Sequence, residues 1–168
     1  MDVCDECGFA YDLDRATTAG AAIVEGATTV AGLVGAEGTD VRARRYEQVW
    51  SPLEYACHVR DVLLVQRERV LAARRRDRPS FEPMGRDERV GHDGYAAQDP
   101  QDVARHVVDA AHMFANVLAR VGPDDWKRTV VYNYPTAQER SLRWVAVHTV
   151  HEVQHHLLDI RRQLGGAT

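Results

Sequence analysis

The stretch Ser141-Leu142-Arg143-Trp144-Val145-Ala146-Val147-His148-Thr149-Val150-His151-Glu152-Val153-Gln154-His155-His156-Leu157-Leu158-Asp159-Ile160-Arg161-Arg162-Gln163-Leu164 decides the fold. Leu142, Val145, Leu157, Leu158 and Ile160 recur at helical steps. Arg161 and Arg162 sit where the end of a helix dipole favours cations, and Gly165-Gly166 stops the run. The spacing predicts a helix over about 141–164. This segment also carries the densest chemistry, because of the eight histidines in the chain, His148, His151, His155 and His156 fall within nine residues. At about 100° per residue, His148 and His155 nearly eclipse, His151 lies within about 60° of both, and His156 is splayed away. Trp144 lies on the same line, one turn before His148.

Working outward, three more helices follow the same logic. Ser51 caps, Pro52 suits a first helical position and Glu54 completes a capping box ahead of Tyr55, Val59, Val62, Leu63 and Val70, predicting a helix to about Arg76. Asp99 and Pro100 repeat the device before Val103, Val107, Ala110, Phe114, Val117 and Leu118, and Gly122-Pro123 ends that run. The earliest helix is expected from about Asp14 to Val34 on Ile23, Ala27, Val30, Ala31 and Val34, weakened by Gly20, Gly26 and Gly32. Four helices of about 20 residues define an all-α four-helix bundle over 14–168, preceded by a short extension over 1–13. The one β-like stretch, Thr129-Val130-Val131-Tyr132, is too short to build a sheet alone. The segment from Asp77 to Gln98, with Pro79, Pro83, Gly85, Gly91 and Gly94, is too long for a tight turn and reads as an ordered loop of the kind that lines a site.

Composition narrows the function. With 168 residues, 45% hydrophobic and 27% charged, the chain can close a single core. Its 21 Lys+Arg against 25 Asp+Glu leave a net charge of -4 and no field that would draw nucleic acid or an anionic membrane, so neither is expected as a partner. No apolar run approaches the roughly 20 residues of a membrane span, and the start Met1-Asp2-Val3-Cys4-Asp5-Glu6-Cys7 has no basic or apolar character. Three cysteines are too few for a disulfide scaffold. A reducing, cytoplasmic setting follows as the expectation. Lys127 is the only lysine, an arginine bias that points to a GC-rich, actinobacterial genome.

His151 and His155 form an H-x-x-x-H pair, which puts two ring nitrogens on successive turns within reach of one metal ion. A third ligand is expected from a neighbouring helix, and His58, between the buried-face residues Tyr55 and Val59, is placed for it. Three histidines from two helices would leave positions open for water or substrate. The competing reading is a solvated or polar histidine seam, and spacing alone weighs the two evenly. His92, His106 and His112 read as surface or core-edge residues.

The stretches Trp50-Ser51-Pro52-Leu53-Glu54-Tyr55-Ala56-Cys57-His58-Val59-Arg60-Asp61 and His151-Glu152-Val153-Gln154-His155-His156 resemble the two signature stretches of the DinB/YfiT-like superfamily, which includes mycothiol-dependent maleylpyruvate isomerases and bacillithiol or mycothiol S-transferases. The resemblance covers about 14–164. It implies a four-helix bundle holding one divalent metal, zinc or nickel, through three histidines, carried onto His58, His151 and His155. His148 is an extra histidine on that face, open to three roles: a partner behind the ligands, a proton shuttle or a spectator. Cys4-Asp5-Glu6-Cys7-Gly8 lies outside what the resemblance requires. It reads as half of a zinc knuckle needing histidines or another protomer to close it, as a redox pair, or as an inert terminal motif. Cys57 reads as a small core residue.

A metal so held would lower the pKa of a bound water or thiol and polarise an electrophile. The resemblance and the arginine bias favour a low-molecular-weight thiol cosubstrate such as mycothiol and a small electrophile, giving an S-transferase or isomerase. A hydrolase using water is the alternative, and a non-enzymatic metal-binding or stress-response module the second. Glu54 and Asp61, one turn on either side of His58, are expected to orient its ring. Trp50, Arg86, Tyr132, Tyr134 and Trp144 are expected to line the substrate pocket, with Asn133, Asp87 and Asp93 beside them. A homodimer is the base-rate expectation for assembly.

Overall fold

The computed structural model describes residues 2–133 and 136–165, and the expectation for Tyr134 lies outside them. The four predicted helices are present as α1 (Ala19–Val34), α2 (Pro52–Arg75), α4 (Pro100–Leu118) and α5 (Leu142–Gln163), with a short α3 (Arg86–His92) between α2 and α4. Neighbours pack in the cyclic order α1, α4, α2, α5, so each long helix has two partners and α2 and α5 share a seam. The fold is a four-helix bundle.

The helices α2, α4 and α5 start where their capping chemistry dictates. Ser51 accepts from the backbone N–H of Glu54 at 3.2 Å, while Glu54 accepts from the N–H of Ser51 at 2.7 Å, closing the reciprocal box at the head of α2. Ser51 is fully buried, so Ser51→Ala removes this bond with no water to replace it. A loss of about 1–2 kcal/mol is expected, lowering the melting temperature by roughly 2–8 °C, as a thermal melt would read. Asp99 caps α4 through the N–H groups of Gln101 and Asp102, and Ser141 caps α5 through that of Trp144.

The start of the first helix differs from expectation. Leu13–Thr18 is a 3-10 turn, and the α-helix begins only at Ala19. Contrary to the sequence reading, Leu13–Val34 is apolar enough, by length and composition alone, to pass for a membrane span. In the bundle α1 packs against α4 and α5, with Ile23, Ala27 and Val30 fully buried. Gly26 permits that packing, since a Cβ there would stand 2.6 Å from Cγ1 of Val153 on α5.

Two segments carry more structure than the sequence led us to expect. Thr129–Asn133 (β2) pairs antiparallel with Ala137–Ser141 (β3) and parallel with Ser80–Phe81 (β1), making a three-stranded sheet where none was expected. Ala-Gln-Glu-Arg-Ser is nearly all polar because β3 is an edge strand whose outer residues are exposed. The long α2–α4 connection holds α3, which buries no residue, and a 3-10 turn at Tyr95–Ala97, which buries Tyr95 completely.

The N-terminal residues fold against the bundle. Val3 and Ala10 form a β-bridge around a tight turn closed by Gly8 N–H to Cys4 C=O at 2.8 Å, with Gly8 at φ +73°, where a Cβ would be strained. This knuckle lies on α5, for Tyr11 reaches His148 and His151.

Candidate metal centre

Three side chains converge on the α2–α5 seam. His58 from the second turn of α2, and Glu152 and His156 from α5, each offer a ligand atom within 4.8 Å of the others. His58 and His156 meet edge to face, ring centroids 4.8 Å apart at 82°. Both are buried, at 2% and 7% exposure. His156 Nε2 lies 3.7 Å from one oxygen of Glu152, and its Nδ1 donates to Asp159 at 3.1 Å. His58 Nδ1 is buried with no hydrogen-bond partner among the described residues. A buried ring nitrogen left unpaired is costly unless something completes it.

The expected triad therefore divides. His58 gathers with Glu152 and His156, whereas His151 and His155 gather with Cys4 and Cys7. The cause is the rotation of α5 about its own axis. Leu142, Val145, Thr149, Val153, His156 and Ile160 form one buried ladder at three- and four-residue steps, so His156, read from the sequence as splayed away, faces the bundle. The His148, His151 and His155 line is turned instead toward the N-terminal knuckle.

Glu54 and Asp61 are occupied elsewhere and do not orient His58. Glu54 holds Arg44 through two bonds of 2.8 and 2.6 Å besides its capping role. Asp61 accepts from Tyr95 Oη at 2.6 Å, Arg60 Nε at 2.8 Å and Arg89 Nη1 at 3.2 Å. Asp159 is the carboxylate that stands behind the cluster, a residue the sequence reading passed over. Its signal was available, three residues after His156 on the same helix face.

The expected lining residues fall into two groups. Trp50 packs on His58 at 5.2 Å and the Arg86 guanidinium lies 5.4 Å over Trp50, so these two, joined by Tyr55, which was not expected there and stacks on His156 at 5.4 Å, roof the buried cluster. Tyr132 and Trp144 instead surround His148, at 5.6 Å edge-on and 4.3 Å stacked. His148 Nε2 is 3.7 Å from the other oxygen of Glu152. Tyr11 had no signal in the sequence, yet its hydroxyl bridges His148 Nδ1 at 3.0 Å and His151 Nδ1 at 2.9 Å. Cys57 is a core residue, and His92, His106 and His112 are exposed.

Burial, reinforced by the neighbouring His156, holds His58 down at about 3, and burial holds His148 at about 4. Both are neutral at pH 7, the form in which imidazole donates a lone pair. For Glu152 burial works against the charge, but the hydrogen bonds of His151 and His156 outweigh it and hold the carboxyl well below its usual range. Burial likewise opposes charge on His156, and Asp159 and Glu152 outweigh it, bringing the imidazole up to about 9. A proton on His156 thus offsets the Glu152 and Asp159 charges, and a cation at the cluster would displace it. The donor set fits a divalent metal: two imidazoles and one carboxylate, clustered, buried and backed by a second carboxylate.

A bundle that gathers imidazoles and carboxylates between two of its helices defines the class to which this protein belongs. The chain is a member of the DinB superfamily, whose sequence profile matches residues 25–160. Among solved structures it is similar to YfiT from Bacillus subtilis, described as a probable metal-dependent hydrolase with an unusual four-helix bundle topology, with a TM-score of 0.77, 12% identity, and coverage of 94% of this chain and 92% of that one. At that identity the likeness is one of fold. No curated protein sequence gives a significant match.

Proposed function

We propose that this protein is a metal-dependent enzyme in which His58, Glu152 and His156 hold one divalent ion for the activation of a small nucleophile. The observation that carries the reading is the buried, unpartnered Nδ1 of His58 beside a carboxylate and a second imidazole. An ion bound there supplies a lowered pKa to a coordinated water or thiol and polarisation to an electrophile. The chain's own residues do the rest. Asp159 fixes the ring of His156 through Nδ1. Trp50 and Tyr55 exclude water from one side of the two imidazoles, and Arg86 over Trp50 offers a cation to a polar substrate. A groove of about 420 Å³ opens against Asp159 with Arg45 and Arg162 on its walls, suited to an anionic or strongly polar electrophile. Neutral His148, within 3.7 Å of Glu152 and bonded to the Tyr11 hydroxyl, is placed to pass a proton outward.

The donor set of two histidines and a glutamate favours water as the nucleophile and hydrolysis as the reaction, because that combination with an open position recurs in hydrolytic zinc sites. The metal-dependent hydrolase reading attached to YfiT supports the same choice. The second reading, transfer or isomerisation with a thiol such as mycothiol in a reducing cytoplasm, rests on the signature stretches around His58 and His151 and on the arginine bias. Zinc or nickel suits either.

His58→Ala tests the site. In chain purified without a histidine tag, the variant is expected to keep its helical circular dichroism and to lose one equivalent of metal relative to wild type by elemental analysis. Unchanged metal content would sink the assignment. Screening metal-loaded wild type against esters and amides, with and without thiols, separates the reactions: turnover that requires the thiol would favour transfer, and turnover without it hydrolysis.

A further inference from the structure

Cys4, Cys7, His151 and His155 form a group that the proposed activity leaves unused. Their four ligand atoms all lie within 4.8 Å of one another, although the cysteines and histidines are more than 140 positions apart in the chain. We infer that these four residues are a second metal site, a closed Cys2His2 zinc centre that fastens the N-terminal knuckle to α5.

Two observations carry it. The knuckle is already shaped around the thiols: Cys4 and Cys7 are unbridged, and the Val3–Ala10 pairing and the left-handed Gly8 fold the chain back on itself. Each histidine presents one nitrogen and has the other engaged. His151 Nδ1 is held by the Tyr11 hydroxyl at 2.9 Å, while its Nε2 is buried with no hydrogen-bond partner among the described residues. His155 Nδ1 faces Cys4 Sγ at 3.8 Å, while its Nε2 lies 3.3 Å from Glu6 and 3.6 Å from Asp159. A carboxylate or hydroxyl behind a ligating imidazole fixes its tautomer and ring angle, as metal-binding histidines require.

The donor set selects the ion. Two thiolates and two neutral imidazoles give a divalent ion no net charge and complete a tetrahedron, which suits zinc in a structural role and leaves no position for substrate. Binding displaces the thiol protons to solvent and needs no oxidant. A redox role for Cys4 and Cys7 would make no use of the orphaned His151 Nε2 or of the way His155 is aimed.

The site borders the His58 cluster, with His151 Nδ1 3.4 Å from Glu152 and His155 Nε2 3.6 Å from Asp159, but the two share no ligand and are tested by different substitutions. Full-length chain, kept reduced, stripped with a chelator and titrated with Co2+, is expected to develop a near-ultraviolet thiolate-to-cobalt charge-transfer band. That band is expected to vanish in Cys4→Ser/Cys7→Ser, to need at least about tenfold more cobalt in His151→Ala and His155→Ala, and to persist in His58→Ala. Zinc added to the cobalt form is expected to abolish it by displacement. Should a variant fail to fold, X-ray absorption of zinc-loaded wild type decides alone: a sulfur shell at about 2.3 Å supports the site, and only nitrogen and oxygen neighbours would overturn it. Cobalt uptake without the band, a band indifferent to both histidine substitutions, or a Cys4–Cys7 disulfide that forms in the presence of zinc would each overturn it too.

Discussion

Glu152→Gln is expected to weaken metal binding at the buried cluster by more than about 100-fold, beyond what removal of a partner behind a ligand costs. The substitution is nearly isosteric, so the fold should survive. What changes is the donor: Glu152 brings the only carboxylate among the three proposed ligands, and its two oxygens face His148, His151 and His156 at 3.4–3.7 Å. An amide brings no charge to a divalent ion and turns an NH2 toward one of those rings. Calorimetric titration of the chelator-treated variant with Zn2+ measures the effect, and the thiolate-to-cobalt band serves as internal control. If Glu152→Gln bound zinc as tightly as wild type, the buried ligand set would be wrong.

The second large effect concerns stability. Asp61→Ala is expected to cost about 3 kcal/mol and to leave the metal content unchanged. Asp61 is 5% exposed and joins three elements, taking bonds from Arg60 on α2, from Arg89 on α3 and from Tyr95, which is completely buried. Its removal strands the Tyr95 hydroxyl and takes one acceptor from Arg60, although Asp93 and Gln98 still hold that guanidinium. Burial alone would raise the Asp61 carboxyl, but the bonds from Arg60 and Tyr95 bring it below its usual value. A carboxyl lowered on folding stabilises above the unfolded-state value of about 4 and loses that contribution as pH falls through its folded value. The variant and wild type should therefore differ fully at pH 7 and converge in acid, which urea titrations at several pH values would show. Loss of metal with intact stability would instead restore Asp61 to an orienting role behind His58.

The helices were legible because capping and apolar spacing agree: Ser51-Pro52-Leu53-Glu54 and Asp99-Pro100 start α2 and α4 in the structure. His58 was legible as a residue of the candidate cluster because it sits among the buried residues of α2. Its partners were not. His151 with His155, and Glu152 with His156, are both four apart, so spacing supports either pair equally. What separates them is the rotation of α5, written in Thr149, Val153 and Ile160 rather than in the histidines. The sheet was hidden because the edge strand Ala137–Ser141 has no apolar alternation. Tyr11 was hidden because its contacts with His148 and His151 span 137 and 140 positions, and no local pattern reports contacts at that range.

That separation has a consequence for biosynthesis. The knuckle is translated before α1 to α4, and α5 after them. At about 5–20 residues per second, roughly seven to thirty seconds pass between translation of Cys4 and Cys7 and arrival of His151 and His155. Through that interval the nascent chain shows two bare thiols and no assembled centre, leaving them open to oxidants and to adventitious metals. Both clusters mature together, once α5 docks.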